Sequence, residues 1–347
     1  MLTTKRTRFF FYLLAIVLLG LGALTHVEAA TKAKPFTYTR IFYYREGPLA
    51  RESLFTYPSS IDVLGPQSYA LDATGALTGS IDPDILAFAE KHNIKVMPLV
   101  TNGAFSQDSY QMLLNDTNAQ DTAVVALVSE AKKNSYWGWQ IDFEQMDASY
   151  HNKFSTFVQR MADAMKKNNL VASVAVIAKV SDTPNDYPND LWQKTIGVYD
   201  YAPLAASVDF VTVMSYDDPN SEGPVVEYAW LLQVLDYSTK LIPHDKLSLG
   251  IPLYYWHWND TTGARIGVGG RKGIYNVFKK HRVTVHYSAK EQAPYLAYWN
   301  HTQHYLLWYE NGQSIKKKIS LIKKYQLHGF SAWALGLELP SIYGAIR

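Results

Sequence analysis

The stretch Tyr136-Trp-Gly-Trp-Gln-Ile-Asp-Phe-Glu144 sorts into two faces when read with the period of two that a β-strand imposes. Gly138, Gln140, Asp142 and Glu144 share one face; Trp139, Ile141 and Phe143 share the other. Large apolar groups on one side belong against a helical layer, and converging polar groups on the other belong in a functional interior. Gln-x-Asp-x-Glu therefore reads as an active-site ladder, with its carboxylates nearest the strand's C-terminal end. The competing reading is an acidic strand end at the surface.

On either side of this stretch, strands and helices alternate. Ile41–Tyr44 is a compact strand followed by a polar Arg45–Pro48 turn, and Ile61–Leu71 carries a second strand. Asp82 and Pro83 are start signals for a helix bearing Ile85, Leu86, Phe88 and Ala89. Lys95–Val100 is a third strand ending at Thr101-Asn102-Gly103, and Ser106 and Asp121 are the expected caps of the next two helices. After the Tyr136–Glu144 strand, Ser149–Lys167 is an amphipathic helix with Phe154, Phe157, Val158, Met161 and Met165 on its apolar stripe. Leu170–Ala178 is nearly continuously apolar, as a parallel strand covered by helices should be. Strands at Val208–Asp217, Lys246–Tyr254 and Gly329–Gly336, with helices at Pro224–Leu241 and Gln313–Tyr325, complete the series.

Eight strand candidates alternating with helices over about 300 residues fit an α/β architecture, a (β/α)8 TIM barrel, better than an open sheet. Residues 257–304, rich in Gly and aromatics, break the rhythm and read as a small insertion between strands 7 and 8. No Gly-x-Gly-x-x-Gly or phosphate-loop pattern follows an early strand, which argues against a nucleotide fold. In a barrel the strand tops form the active-site face, so Asn102, Asp142, Glu144, Tyr216, Asp217 and Trp333 should meet there.

The first thirty residues differ from the rest. Lys5, Arg6 and Arg8 precede an uncharged run, Phe9–Leu24, and Val27-Glu28-Ala29 offers a cleavage site: the order of a secretory signal peptide. The alternative is an uncleaved anchor, with membrane attachment through residues 9–24. Either way the protein is expected to be secreted, periplasmic or cell-envelope associated. Without residues 1–30 the chain holds 30 Lys and Arg against 30 Asp and Glu. It thus has no basic footprint for nucleic acid. Having no cysteine excludes disulfides and thiolate chemistry. The ten histidines show no tight metal spacing, and neither metal nor cofactor is expected. Aromatic content of 14% serves core packing and sugar-stacking platforms equally well.

At this point the motifs resemble those of glycoside hydrolase family 18, the chitinase-like barrels. The family's fourth-strand signature is Asp-Gly-x-Asp-x-Asp-x-Glu, against Trp137-Gly138-Trp139-Gln140-Ile141-Asp142-Phe143-Glu144 here. The Gly, the last Asp and the Glu match; Trp137 and Gln140 stand where the family has its first two Asp. Met214-Ser-Tyr216-Asp217 is similar to the sixth-strand Met-x-Tyr-Asp, Leu249–Tyr254 to the seventh strand, and Ser331–Gly336 to the eighth, whose tryptophan floors a sugar subsite. Within the family, the spore-germination and cortex-lytic branch, with Asn-x-Asp-x-Glu, looks nearest.

The resemblance implies substrate-assisted, retaining cleavage of β-linked N-acetylglucosamine glycans, peptidoglycan or chitin, by a monomer. It casts Glu144 as general acid, Asp142 as the group orienting the sugar's acetamide, and Tyr216 as donor to the acetamide carbonyl. Gln140, Asn102, Met214, Asp217, Trp333 and Tyr43 are the implied substrate-binding set. Gln140 is expected to hydrogen-bond Asp142, and Gln140→Asp to shift the pH optimum while leaving activity. The reading from a different class is a sugar-binding lectin on the same fold, in which catalysis has been lost.

Overall fold

The computed structural model describes residues 36–346 apart from Ala104, Ser106 and Asn189. The expected signal segment 1–30 with its apolar run 9–24, the linker 31–35 and the expected Ser106 cap lie outside the described residues. Strands β1 (Thr39–Tyr44) and β2 (Val63–Leu71) are followed by β3 (Leu77–Gly79), which pairs antiparallel with β2. The third barrel strand is split into β4 (Lys95–Val96) and β5 (Leu99–Thr101), because Pro98 between them has no N–H for the ladder. Next come β6 (Gly138–Asp142), β7 (Val171–Ile177), β8 (Phe210–Met214) and β9 (Leu247–Pro252).

A second, antiparallel sheet then follows, of β10 (Tyr255–Asn259), β11 (Ala264–Gly269), β12 (Val283–Ser288), β13 (Ala293–Asn300) and β14 (Gln303–Trp308). The last barrel strand is β15 (Gly329–Trp333). Parallel pairing of β1 with both β2 and β15 closes the eight-stranded ring. The chain is thus a (β/α)8 barrel. The excursion expected at residues 257–304 runs from Tyr255 to Trp308 and is an ordered sheet, not a loose loop.

Nine α-helices are described: α1 (Pro48–Thr56), α2 (Pro83–Lys91), α3 (Gln107–Asn115), α4 (Thr117–Lys133), α5 (His151–Lys167), α6 (Tyr201–Ser207), α7 (Tyr228–Leu241), α8 (Arg271–Lys280) and α9 (Gly312–Tyr325). Their starts follow local chemistry. Asp82 caps α2 by accepting from the Asp84 N–H at 2.9 Å. Asp116, not the expected Asp121, caps α4, because α3 ends at Asn115 and the Asp116 carboxylate accepts from the Asn118 N–H at 2.8 Å. Asp121 lies inside α4 and pairs with Arg160. The expected Arg45–Pro48 turn instead delivers Pro48 as the first residue of α1, where its missing N–H costs nothing. Helix α7 begins four residues after the expected Pro224, whose carbonyl accepts from Ser221. Among the described residues no helix is long and apolar enough to cross a membrane.

The two faces of the opening stretch are now visible in the packing. Trp139, Ile141 and Phe143 point outward into the helical layer and are fully buried. Phe143 stacks on Phe154 and Phe157 of α5 at 6.0 and 5.8 Å, and the Trp139 indole donates to the Leu127 carbonyl of α4 at 2.9 Å. All five expected stripe residues of α5 are fully buried, each such side chain contributing about 1.5–3 kcal/mol. Trp137, at the opposite end of the strand from Glu144, stacks on Phe210 and lies under the Lys95 ammonium at 4.3 Å.

Gly138 is required by the barrel itself. A Cβ there would sit 1.9 Å from the Val171 carbonyl oxygen of β7. Gly138→Ala is expected to force β6 and β7 apart and cost at least about 3 kcal/mol. A urea unfolding midpoint close to that of the unaltered protein would refute this.

Candidate active site

The C-terminal ends of the barrel strands, with the second sheet on one side, surround a cleft of about 1120 Å³. Asp142 ends β6 and is buried; Glu144 lies two residues further on, beyond the ladder, and lines the same cleft. The surface-strand reading is therefore excluded.

Because Glu144 has left the sheet, its backbone is held by side chains. The Asn102 amide donates to the Glu144 carbonyl at 3.0 Å and accepts from the Glu144 N–H at 3.0 Å. The Tyr199 hydroxyl donates to the Phe143 carbonyl at 2.6 Å. Gln145, next in the chain, adopts a left-handed backbone with φ of 55°. A non-glycine residue in that conformation persists only where its surroundings hold it.

Burial pushes the Asp142 carboxyl up, against a weak lowering by the Gln67 amide, which donates to it at 3.4 Å. Glu144 is also pushed up, first by burial and then by the negative charges of Asp142 and Asp217. The arrangement favours a proton held on the Glu144 side of the pair at neutral pH.

Tyr216 lines the cleft, and its hydroxyl has no hydrogen-bond partner among the described residues. Burial raises its phenol well above the ordinary value. Asp217 sits at φ 59° and accepts from the Tyr254 hydroxyl at 2.6 Å. Its carboxyl is raised by burial, while the Tyr254 bond and the Arg265 charge oppose this. Trp333, Tyr43 and Met214 also line the cleft, with the Tyr43 and Trp333 rings 5.5 Å apart.

Two residues leave the expected ligand-contact set. Gln140 is fully buried and does not bond Asp142. Its oxygen accepts from Tyr43 at 2.6 Å, and its amide donates to Ser173 at 2.8 Å and Thr212 at 3.0 Å. Thr212 and Ser248 continue this interior network to Ser331 at 3.0 and 2.8 Å. The hydrogen-bonding capacity of the amide is thus used beneath the cleft floor. Asn102 is likewise fully buried, with both amide atoms engaged on Glu144. It holds the Glu144 backbone and does not line the cleft.

Gln140→Asp consequently acts through space and packing. It exchanges two donated bonds for a third buried carboxyl near Asp142, costing about 1–3 kcal/mol of stability. Added negative charge raises the neighbouring carboxyls further, so the basic limb of the activity profile should move to higher pH. A pH–rate profile superimposable on that of the unaltered protein would count against this.

Several cleft residues escaped the sequence reading. Gln67 and Tyr254 lie within strands that were recognised, but nothing local marks their side chains as partners of Asp142 and Asp217. Arg265 comes from β11 of the second sheet, and its guanidinium lies 4.1 Å above the Trp256 ring. The only signal was the clustering of Trp, Tyr and Arg in the stretch that broke the strand–helix rhythm. Among the described residues no group of three or more His, Asp and Glu side chains is arranged to hold a metal ion.

The sequence pattern of glycosyl hydrolases family 18 matches residues 81–338. The uncharacterized glycosylase YvbX of Bacillus subtilis is 29% identical over 304 residues, spanning 85% of this chain and 86% of that protein. The cortical fragment-lytic enzyme of Bacillus subtilis is 27% identical over 289 residues, spanning 80% of this chain and 65% of that protein. Among solved structures, a chitinase from Chromobacterium violaceum superposes with a TM-score of 0.79 at 27% identity, covering 89% of this chain and 98% of that one. A closed barrel, a buried carboxyl pair at its C-terminal face and a family pattern over most of the chain lead to one assignment: this protein is a glycoside hydrolase belonging to glycosyl hydrolases family 18.

Proposed function

We propose that the protein cleaves β-linked N-acetylglucosamine glycans, peptidoglycan or chitin, with retention of configuration and with Glu144 as general acid and base. The observation that carries this reading is the pairing of Glu144, raised by burial and charge, with buried Asp142 in one cleft. Family 18 is among the substrate-assisted exceptions to the two-carboxylate rule of glycoside cleavage. Protonated Glu144 gives its proton to the leaving glycosidic oxygen while the sugar's own acetamide oxygen attacks the anomeric carbon. Asp142 accepts from the acetamide N–H and stabilises the oxazolinium charge, and the free Tyr216 hydroxyl donates to the acetamide oxygen. Glu144, now a carboxylate, takes a proton from water as that water attacks the same carbon from the face the leaving group vacated. Trp333 and the Tyr43 ring offer apolar faces to the sugar.

Export to the cell envelope is part of this reading, supported by the signal-like order of residues 1–30 and by similarity to a protein named for cortex lysis. The test is to incubate the purified protein with chitin oligomers and with peptidoglycan, following new reducing ends and their anomeric form. The expected product is the β-anomer from at least one polymer. Tight oligosaccharide binding with no cleavage of either would support the lectin reading instead.

A further inference from the structure

Charge is divided unevenly along this chain. Residues 264–328 contain twelve Lys and Arg but two acids, Glu291 and Glu310, whereas residues 36–263 contain 15 Lys and Arg against 27 Asp and Glu. Both acids of the basic stretch are already neutralised by lysines. Glu310 pairs with Lys318 at 2.7 Å and Glu291 with Lys290 at 2.7 Å. Helix α8 and the turn after it carry Lys272, Lys279, Lys280 and Arg282, all exposed and none in an ion pair among the described residues. We propose that the outer face of α8 docks on an anionic lipid bilayer, with lipid phosphates meeting its lysines and the headgroup–acyl boundary taking its exposed rings.

The helix is held to the molecule by its other face. Ile274 is buried in a cluster with Leu296, Leu307 and Tyr309. Arg271 pairs with Glu52 of α1 at 2.9 Å, and its N–H donates to the Leu337 carbonyl at 2.8 Å. Tyr275 and Phe278 lie outside that contact and are 46% and 45% exposed. Helical spacing puts Lys272, Phe278 and Lys279 at i−3, i+3 and i+4 from Tyr275, so the four are neighbours on one surface. Val285 of β12, 55% exposed, adds to its apolar part, because pairing with Leu296 places it on the sheet face that α8 covers.

Charge alone would suit any polyanion, and the rings choose among them. A soluble phosphodiester chain has no apolar phase, so Tyr275 and Phe278 would stay in water beside it. A bilayer buries ring faces at the headgroup–acyl boundary while lysine stems reach along it to the phosphates. Near an anionic leaflet each Lys or Arg strengthens binding by about fivefold. Docking on this face leaves the cleft open. Trp256 and Trp258 of β10 line the cleft, whereas His257 between them pairs with Leu307 on the face that α8 covers, so the sheet separates the two. None of Lys272, Tyr275, Phe278 and Lys279 lines the cleft.

The test is co-sedimentation of the full chain with phosphatidylcholine vesicles, with or without about 30% phosphatidylglycerol. Residues 1–30 are common to every variant, so their own contribution cancels in the comparison. The unaltered protein should bind the anionic vesicles at least about tenfold more tightly. Lys279→Gln with Lys280→Gln should weaken that binding about thirtyfold, and Phe278→Ser about fivefold. Lys166→Gln with Lys167→Gln, an exposed pair at the same end of α5, should change it less than about twofold. Equal losses from the two lysine pairs would reduce the effect to net charge and overturn the docking face. So would Phe278→Ser binding like the unaltered protein, or soluble poly(glycerol phosphate) binding as tightly as the vesicles. No glycan enters these measurements, and cleavage of soluble oligomers should be unchanged in all the variants. Vesicle binding lost as expected from a protein that cleaves no glycan would sink the proposed reaction and leave the docking face standing.

Discussion

Glu144→Gln is expected to lower kcat by about two to four orders of magnitude while oligosaccharide binding persists, because only the proton donor is lost. The same substitution should make the protein more stable at neutral pH. In the fold, burial and the charges of Asp142 and Asp217 raise Glu144 above its ordinary value of 4.5. Between that ordinary value and the raised one, the folded state binds more protons than the unfolded chain. Stability therefore falls as pH rises through that window, and a glutamine has no such decline. The expected gain is about 1 kcal/mol or more at pH 7 and close to nothing at pH 4. Thermal midpoints of both proteins across pH 4–8 read this directly. Midpoints that stay parallel over the range would refute the electrostatic account, and cleavage that survives the substitution would remove Glu144 from its role.

The second large effect is expected at a residue that does not line the cleft. Asn102→Ala removes both bonds to the Glu144 backbone, leaving a part-buried N–H and C=O without partners at a cost of about 1–3 kcal/mol. It also frees the segment that aims the carboxyl, and a displacement of about 1 Å can cost roughly a hundredfold in rate. Because the substrate contacts remain, kcat should fall about ten- to hundredfold with KM little changed. Asn102→Asp keeps the acceptor for the Glu144 N–H and loses the donor to its carbonyl. It should retain more activity than the alanine variant and shift the basic limb upward through its added charge. A normal kcat in a destabilised Asn102→Ala protein would make the residue structural only.

Gln140 illustrates where local reading stops. Its place on the inward face of the strand follows from alternation alone, and so does its separation from Trp139 and Ile141. Its partners do not. Tyr43, Ser173 and Thr212 are 97, 33 and 72 residues away in the chain and meet it only because the ring closes. A spacing of two suggests a bond between Gln140 and Asp142, but strand neighbours on one face point to different depths of the barrel. One serves the floor and the other the cleft.

Helix starts show the same division on a smaller scale. Asp82 capped its helix as a one-turn signal should, whereas Asp121 and Asp116 both precede apolar runs, and only the end of α3 at Asn115 decides between them. Pro48 could open a turn or a helix, and its sequence neighbours do not choose.

By itself the sequence determined the alternation of elements, the inward face that carries Asp142 and Glu144, and the eight-strand count, because these depend on periodicities that each segment carries within itself. The tertiary structure alone decided that Asn102 clamps Glu144, that Gln140 anchors an interior hydroxyl network, and that the second sheet brings Arg265 and Trp256 to the cleft. Those pairings join residues tens to more than a hundred positions apart. Barrel closure and β11 packing set their distances, and no local period encodes either.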